Sequence, residues 1–273
     1  MENIIQEKDT QYIKKTLESV SKNIILPFYG NLSKEHIFKK SSKNDLVTKA
    51  DKLAEIFIKS KLFERKKDIN FIGEESYDNE LIEETKNTHS PFTWTCDPID
   101  GTNNFVNNNE KFCTMISLCE NKVPKYSWLY FPIFEIFCYC LNSNSIFLCY
   151  KKNRISVYRE KRKVNIVPIT GSTLFLDNLF SNLKTRKDSY GLITAKNLKC
   201  AGYEVIALAC GKIDYLHHFN LTPWDHSPVY NFAKSSGCKV VLNGSKKTFN
   251  FDTKGQLLCT SSNFIYNKLI NNF

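Results

Sequence analysis

Apolar residues recur near the helical period over residues 10–28, where Ile13, Leu17, Val20, Ile24 and Ile25 share one side of a turning chain. Pro27 and Gly30 mark the end of that helix. A polar, lysine-rich loop runs on to Asp45. Thr48 announces a second helix carrying Leu53, Ala54, Phe57, Ile58 and Leu62. Beyond Asn70 the pattern changes. Phe71-Ile72-Gly73 and Phe92-Thr93-Trp94-Thr95-Cys96 read as short buried strands, each followed by acidic residues. Residues 112–118, 127–131, 135–141 and 146–150 are β-rich runs separated by turn residues. Residues 200–210 form an apolar helix stopped by Gly211, and 227–236 another stopped by Gly237. Residues 249–251 and 257–260 read as late, short strands.

No internal repeat interrupts this order. It predicts an α/β architecture in which helices cover sheets. A soft boundary near residues 145–155 is expected to separate an α+β N-terminal part (1–150) from an α/β C-terminal part (151–273).

Composition narrows the class. Hydrophobic residues make up 42% of the 273 and charged residues 24%, enough apolar surface for a real core and too much for a disordered chain. No run approaches the ~20 apolar residues of a membrane span. Met1 to Asp9 lacks a basic start followed by an apolar block, so a cytoplasmic protein without a secretory leader is expected. The ten cysteines lie at 96, 113, 119, 138, 140, 149, 200, 210, 238 and 259, with no C-x-x-C pair. Most fall in apolar segments, where a free thiol behaves as a small hydrophobe, and neither disulfides nor a structural zinc are expected. The net charge of +10 is spread over scattered lysines. Only residues 159–163 cluster, and they read as a solvated hairpin; the overall field favours anionic substrates.

The chemistry concentrates in acidic segments: Gly73-Glu74-Glu75, Asp97-Pro98-Ile99-Asp100-Gly101-Thr102 and Trp224-Asp225. Magnesium takes oxygen ligands and keeps several waters, so carboxylates from separate stretches suit it. Pro98 stiffens the turn between Asp97 and Asp100, and Ile99 offers its carbonyl. Gly101 permits close backbone approach, and Thr102 opens a helix whose first N–H groups can face a phosphate. Two residues carry two readings each. Asp51 completes a capping box with Thr48 or serves catalysis. Asp225 caps a helix beginning near Ser227-Pro228 or ligates a metal. His36 and His89 read as surface residues; His217, His218 and His226 flank the third acidic segment without the spacing of a zinc motif. No nucleophile elbow, Walker loop or dinucleotide fingerprint is present.

These residues resemble the inositol monophosphatase family, within the lithium-sensitive, magnesium-dependent phosphatases, as a divergent bacterial-type member. Asp97-Pro98-Ile99-Asp100-Gly101-Thr102-Asn103-Asn104-Phe105 is similar to the family's D-P-[IL]-D-G-T-x-N-F signature. Phe71 to Ser76 resembles its G-E-E segment. Lys40-Ser41-Ser42 with Asp45-Leu46-Val47-Thr48-Lys49-Ala50-Asp51 resembles its K-x-x-x-x-D-x-V-T-x-x-D stretch. Pro223-Trp224-Asp225-His226, followed by Ser235-Ser236-Gly237-Cys238, resembles its W-D-x-A…A-G-G motif. The resemblance implies a layered αβαβα sandwich of the sugar-phosphatase type, usually a homodimer. It implies that Glu74, Asp97 and the Ile99 carbonyl hold a first magnesium, and that Asp97, Asp100 and Asp225 hold a second. A third, weaker ion belongs near Glu74. Thr102 and Asp51 would orient and deprotonate the attacking water, and Gly101 and Thr102 would bind phosphate through their N–H groups. Ala201 fits the substrate pocket. His218 stands where the family presents an acid to its substrate.

The expected activity is hydrolysis of a small phosphate monoester of a polyol, sugar or histidinol. The alternatives are a nucleotide 3′-phosphatase acting on adenosine 3′,5′-bisphosphate and a non-catalytic protein binding RNA or a transcription complex, the latter suggested by the charge.

Overall fold

The computed structural model describes residues 4–39, 46–77, 90–141, 144–160, 163–196, 198–242 and 249–270. Lys40, Ser41, Ser42 and Asp45 of the first motif, His89, and Lys161-Arg162 of the basic cluster lie outside the described residues.

Helix α1 (Glu7–Val20) buries Ile13, Leu17 and Val20, and the chain continues through a π turn at Ser21–Ile25 into a last helical turn at Leu26–Phe28. Strands β1 (Ile37–Lys39) and β2 (Leu46–Thr48) pair antiparallel and lead into α2 (Lys49–Arg65). The main sheet has eight strands, β3 (Asn70–Gly73), β4 (Phe92–Asp100), β5 (Cys113–Glu120), β6 (Val123–Phe131), β7 (Ile136–Leu141), β8 (Ile146–Tyr150), β9 (Asn153–Glu160) and β10 (Lys163–Thr170), lying in sequence order. Only β3 and β4 are parallel. Short α3 (Thr102–Val106) follows β4, and α4 (Phe175–Phe180) and the hairpin β11 (Thr185–Lys187)–β12 (Ile193–Ala195) follow β10. Then come α5 (Ala201–Ala209), β13 (Tyr215–His218), α6 (Pro223–Ser235), β14 (Lys239–Leu242), β15 (Leu257–Thr260) and α7 (Asn263–Ile270). The second sheet runs β13-β15-β14, antiparallel throughout.

Both faces of the main sheet are covered, which is why β4 to β7 read as near-continuous apolar runs rather than clean alternation. Along β5 and β6 the sides still alternate. Ile116, Leu118 and Trp128 pack with Leu17, Ala54 and Ile58 of α1 and α2. Met115 and Leu129 pack with Val205, Val229 and Phe232 of α5 and α6. The second sheet lies on the far side of that helical layer, with α7 against β15. The order is therefore helix, sheet, helix, sheet, helix, as expected. No helix among the described residues is long and apolar enough to cross a membrane.

The boundary expected near residues 145–155 falls between β8 and β9, which pair from Ile146–Val157 to Tyr150–Asn153, so one sheet runs through it. Residues 249–251 are not a strand. Phe249 is buried and stacks on Tyr230 with ring centroids 5.2 Å apart, so those aromatics fill the core from a turn. Helix α6 starts four residues earlier than its apolar pattern suggests, because Pro223 at its first position is already set at a helical φ.

The basic cluster is also not all solvated hairpin. Arg159 is half-buried, its Nη2 donates to the carbonyls of Leu208 and Ala209 at the C-terminal end of α5, and its Nε reaches Cys238 Sγ at 3.3 Å. It supplies charge and donors where a helix end lacks both. Arg159→Ala is expected to lower unfolding free energy in urea by about 1.5–3 kcal/mol, the range for charged hydrogen bonds. A solvated arginine would cost less than about 0.5 kcal/mol.

Candidate active site

Asp97 and Asp100 are three residues apart, and in a regular strand that offset sends side chains to opposite faces. Here Asp97 lies opposite Met115 and Asp100 opposite Cys113, three steps on β4 against two on β5. The extra residue is a bulge, and it brings both carboxylates to one side. Pro98 suits the interruption because it has no N–H to leave unpaired. Its carbonyl is held instead by Thr114 Oγ1 at 2.8 Å.

Gly101 then turns the chain with φ +90°, and a side chain there would press on the Lys111 and Lys199 carbonyls and Cys200. Its carbonyl accepts from the N–H groups of Asn104 and Phe105, which starts α3. Buried Asn104 fastens this turn, donating through Nδ2 to the carbonyls of Lys111 and Leu198 at 2.7 Å each.

Asp225 arrives from the first turn of α6, held by Thr222 Oγ1 at 2.8 Å. Thr222 is the N-cap, so the expectation that Asp225 caps a helix starting near Ser227 is not met; the acid lies inside the helix. Carboxylate oxygens of Asp97, Asp100 and Asp225 lie within 4.8 Å of one another. Asp97 Oδ1 is buried with no hydrogen-bond partner among the described residues. Burial, then Glu74, Asp225 and Asp100, push the Asp97 carboxyl well above the usual carboxylate range. Burial and Asp225 push Asp100 up to about 6, against the pull of three donors: Cys200 Sγ (3.0 Å) and the N–H groups of Gly202 (2.7 Å) and Ala201 (3.0 Å); Cys113 Sγ lies 3.6 Å from the same carboxylate. A hard, oxygen-only trio with an unpaired buried oxygen fits a divalent cation such as magnesium.

Asp51 completes the expected capping box and also reaches Thr102. Its Oδ2 accepts from Thr48 N–H and Oγ1, completing the capping box of α2, while its Oδ1 lies 3.3 Å from Thr102 Oγ1. Thr102 Oγ1 is also 3.0 Å from the Ile99 carbonyl. Glu74 follows β3, with its N–H on the Cys96 carbonyl at 3.0 Å. It stands outside the close trio, yet its charge is the largest acting on Asp97. Glu55, one helical turn beyond Asp51, is buried beneath it and accepts from Glu75 N–H at 2.8 Å; a Cβ on Gly73 would collide with that carboxyl.

His218 is committed on both ring nitrogens. Nε2 is 2.8 Å from Glu204 Oε2 and Nδ1 is 3.0 Å from His226 Nε2. His226 Nδ1 in turn receives the Thr222 N–H at 2.9 Å. A backbone N–H can only donate, so His226 Nδ1 is the acceptor and its proton sits on Nε2, pointing at His218. Burial holds His226 down to about 4, keeping it neutral. For His218, burial lowers the pKa, but the Glu204 hydrogen bond and charge more than offset it, leaving it raised. Glu204, Glu55, Cys113 and Cys200 have no site role in the sequence reading, and His226 appears there only beside the third acidic segment. The only local signal was spacing: Glu204 lies three residues after Ala201, and Glu55 four after Asp51, each on one helix face.

A model described as the inositol monophosphatase family matches residues 7–271. Among curated relatives, an inositol monophosphatase of Dictyostelium discoideum is 27% identical, over 98% of this chain and 96% of its own length. Inositol monophosphatase 1 of Solanum lycopersicum is 30% identical over 77% of this chain and 76% of its own. Among solved structures, an IMPase of Thermotoga maritima superposes with a TM-score of 0.70 at 17% identity, covering 97% of each chain.

Crowded carboxylates destabilise the metal-free protein. In a chelator, Asp97→Asn is therefore expected to melt above wild type, by about 2–4 °C for each kcal/mol of repulsion relieved. A lower melting temperature would contradict the repulsion. Nitrogen-15 NMR at neutral pH should find His226 protonated on Nε2 and bare on Nδ1.

Proposed function

The chain belongs to the inositol monophosphatase family, and from that premise we propose that it hydrolyses the phosphate monoester of a small polyol, sugar or histidinol by attack of a magnesium-activated water. The observation carrying the reading is the carboxylate trio with the unpaired Asp97 Oδ1, beside the Asp51–Thr102 pair. In this reading Asp97, Asp100 and Asp225, with Glu74 and the Ile99 carbonyl, hold the ions, two or three in number. When bound, magnesium supplies positive charge for the phosphate and lowers the pKa of water.

The protein's own groups do the rest. Thr102 Oγ1, lying between Asp51 Oδ1 and the Ile99 carbonyl, orients the water, and Asp51 takes its proton. The N–H groups of Gly101 and Thr102 would face the phosphate oxygens, at a turn where Gly101 has φ +90° and no side chain. The donors on Asp100 keep that carboxylate aimed, and the Thr222–Asp225 bond does the same from α6. Ala201 and the Glu204–His218 pair line the side where the alcohol is chosen. Since both His218 nitrogens are engaged by protein groups, the carboxylate of Glu204 is the better candidate to meet substrate hydroxyls.

A homodimer and lithium inhibition belong to the same proposal. The edge strand β10, with Val167 and Ile169 exposed and Leu174 exposed just after it, supports the first; a cytoplasmic setting would suit the free cysteines. A nucleotide 3′-phosphatase and a non-catalytic RNA binder are not favoured.

The test is phosphate release from a panel of inositol, sugar, histidinol and nucleotide phosphates, with magnesium and with EDTA. Release is expected from at least one small monoester, lost in EDTA and lowered at least about 100-fold by Asp97→Asn. Activity unchanged by EDTA would end the metal assignment.

A further inference from the structure

The two cysteines on Asp100 have no part in the chemistry above. Cys113 from β5 and Cys200 at the start of α5 bring their sulfurs to 3.9 Å, and these lie 3.6 and 3.0 Å from Asp100 Oδ2. Two sulfurs and an oxygen thus form a closed triangle on the floor of the carboxylate site. We propose that Cys113, Cys200 and Asp100 form a binding site for a thiophilic divalent cation, zinc above all, which competes with magnesium for Asp100.

The dimensions support this. Tetrahedral zinc, with Zn–S about 2.3 Å and Zn–O about 2.0 Å, needs sulfurs about 3.8 Å apart and sulfur–oxygen separations of about 3.5 Å. The sulfur–sulfur and Cys113–Asp100 edges match, and a small rotation of the Cys200 thiol opens the third. The frame is fixed by other bonds. Ala201 and Gly202 N–H groups hold Asp100, and a Cβ on Gly202 would stand 2.4 Å from Cys113 Sγ, so glycine keeps that sulfur in place. All three ligands are buried, and Asp100 is shared with the carboxylate trio, whose Asp225 is partly exposed.

Softness then separates the metals. Thiolates select zinc or cadmium, whereas magnesium keeps to oxygen. Binding needs no oxidant: each sulfur forms a bond to the ion and releases its proton to solvent. With zinc in place, the Asp100 carboxylate is drawn towards the two sulfurs, and the trio it shares with Asp97 and Asp225 is weakened for magnesium. This is not the structural zinc of C-x-x-C motifs, and the pair is invisible in sequence because the cysteines lie far apart along it.

The inhibitory consequence rests on the magnesium phosphatase reading; the binding does not. Reduced, metal-free protein is titrated with cadmium, and with zinc in competition, following the sulfur-to-metal charge-transfer band and proton release. A band saturating at one ion per chain, with one proton released per thiol, is expected. Cys113→Ser and Cys200→Ser should each weaken zinc binding by at least about tenfold, and the double variant should lose the band while keeping its circular dichroism. No band in the wild-type protein, or an undiminished band in a folded double variant, overturns the site. The wild-type titration stands even if a variant misfolds. Zinc inhibition relieved by excess magnesium supports the competition; a full band with uninhibited phosphate release overturns it. A full band in a protein that releases phosphate from no substrate leaves the zinc site standing and counts against the phosphatase reading.

Discussion

Like charge is the constraint around which this molecule is arranged. Three carboxylates lie within 4.8 Å of one another, and one oxygen of Asp97 is buried without a partner. Water would separate such groups at once. They stay together because each is fastened from behind: Asp97 and Asp100 by a bulged central strand, Asp100 by two backbone N–H groups and two thiols, Asp225 by the first turn of a buried helix. Those fastenings need a rigid surround, and the two apolar cores on either face of the main sheet supply it. The site is a place of stored repulsion held shut by ordinary packing.

Polar side chains around it tend to serve two masters. Asp51 ends one helix properly with one oxygen and faces Thr102 with the other. Thr222 caps α6, holds Asp225 through its hydroxyl and fixes the His226 tautomer through its N–H. Such sharing ties the placement of reactive groups to the hydrogen bonds that start a helix. It also means that disturbing a cap disturbs the chemistry.

An α/β architecture and most of the acidic residues are legible in the sequence, because helical period and carboxylate spacing are local signals; the order of the layers is what the family resemblance implies. Four features are not legible. The bulge in β4 is invisible, since a three-residue offset between Asp97 and Asp100 looks the same whether or not the strand is regular. The helix carrying Asp225 was read from Ser227, because Pro223 and Pro228 bracket a stretch with no apolar rhythm at its start. Arg159 looked like one more surface charge, and only the tertiary approach of α5 and Cys238 gives it a buried task. Glu204 was missed for the same reason: its partner, His218, lies on another element, and pairing across elements leaves no trace in local pattern.

Gly202 has a bearing on how this chain can change over generations. The space its missing side chain leaves is filled by Cys113 Sγ, with Met115 Sδ and Asp100 Oδ2 close behind. No mutation enlarging Gly202 fits while Cys113 remains, and shrinking Cys113 first would open a hollow beneath Asp100. The two positions are therefore locked into an order of substitution, smaller at 113 before larger at 202. The intermediate must carry a gap under the residue the site can least spare.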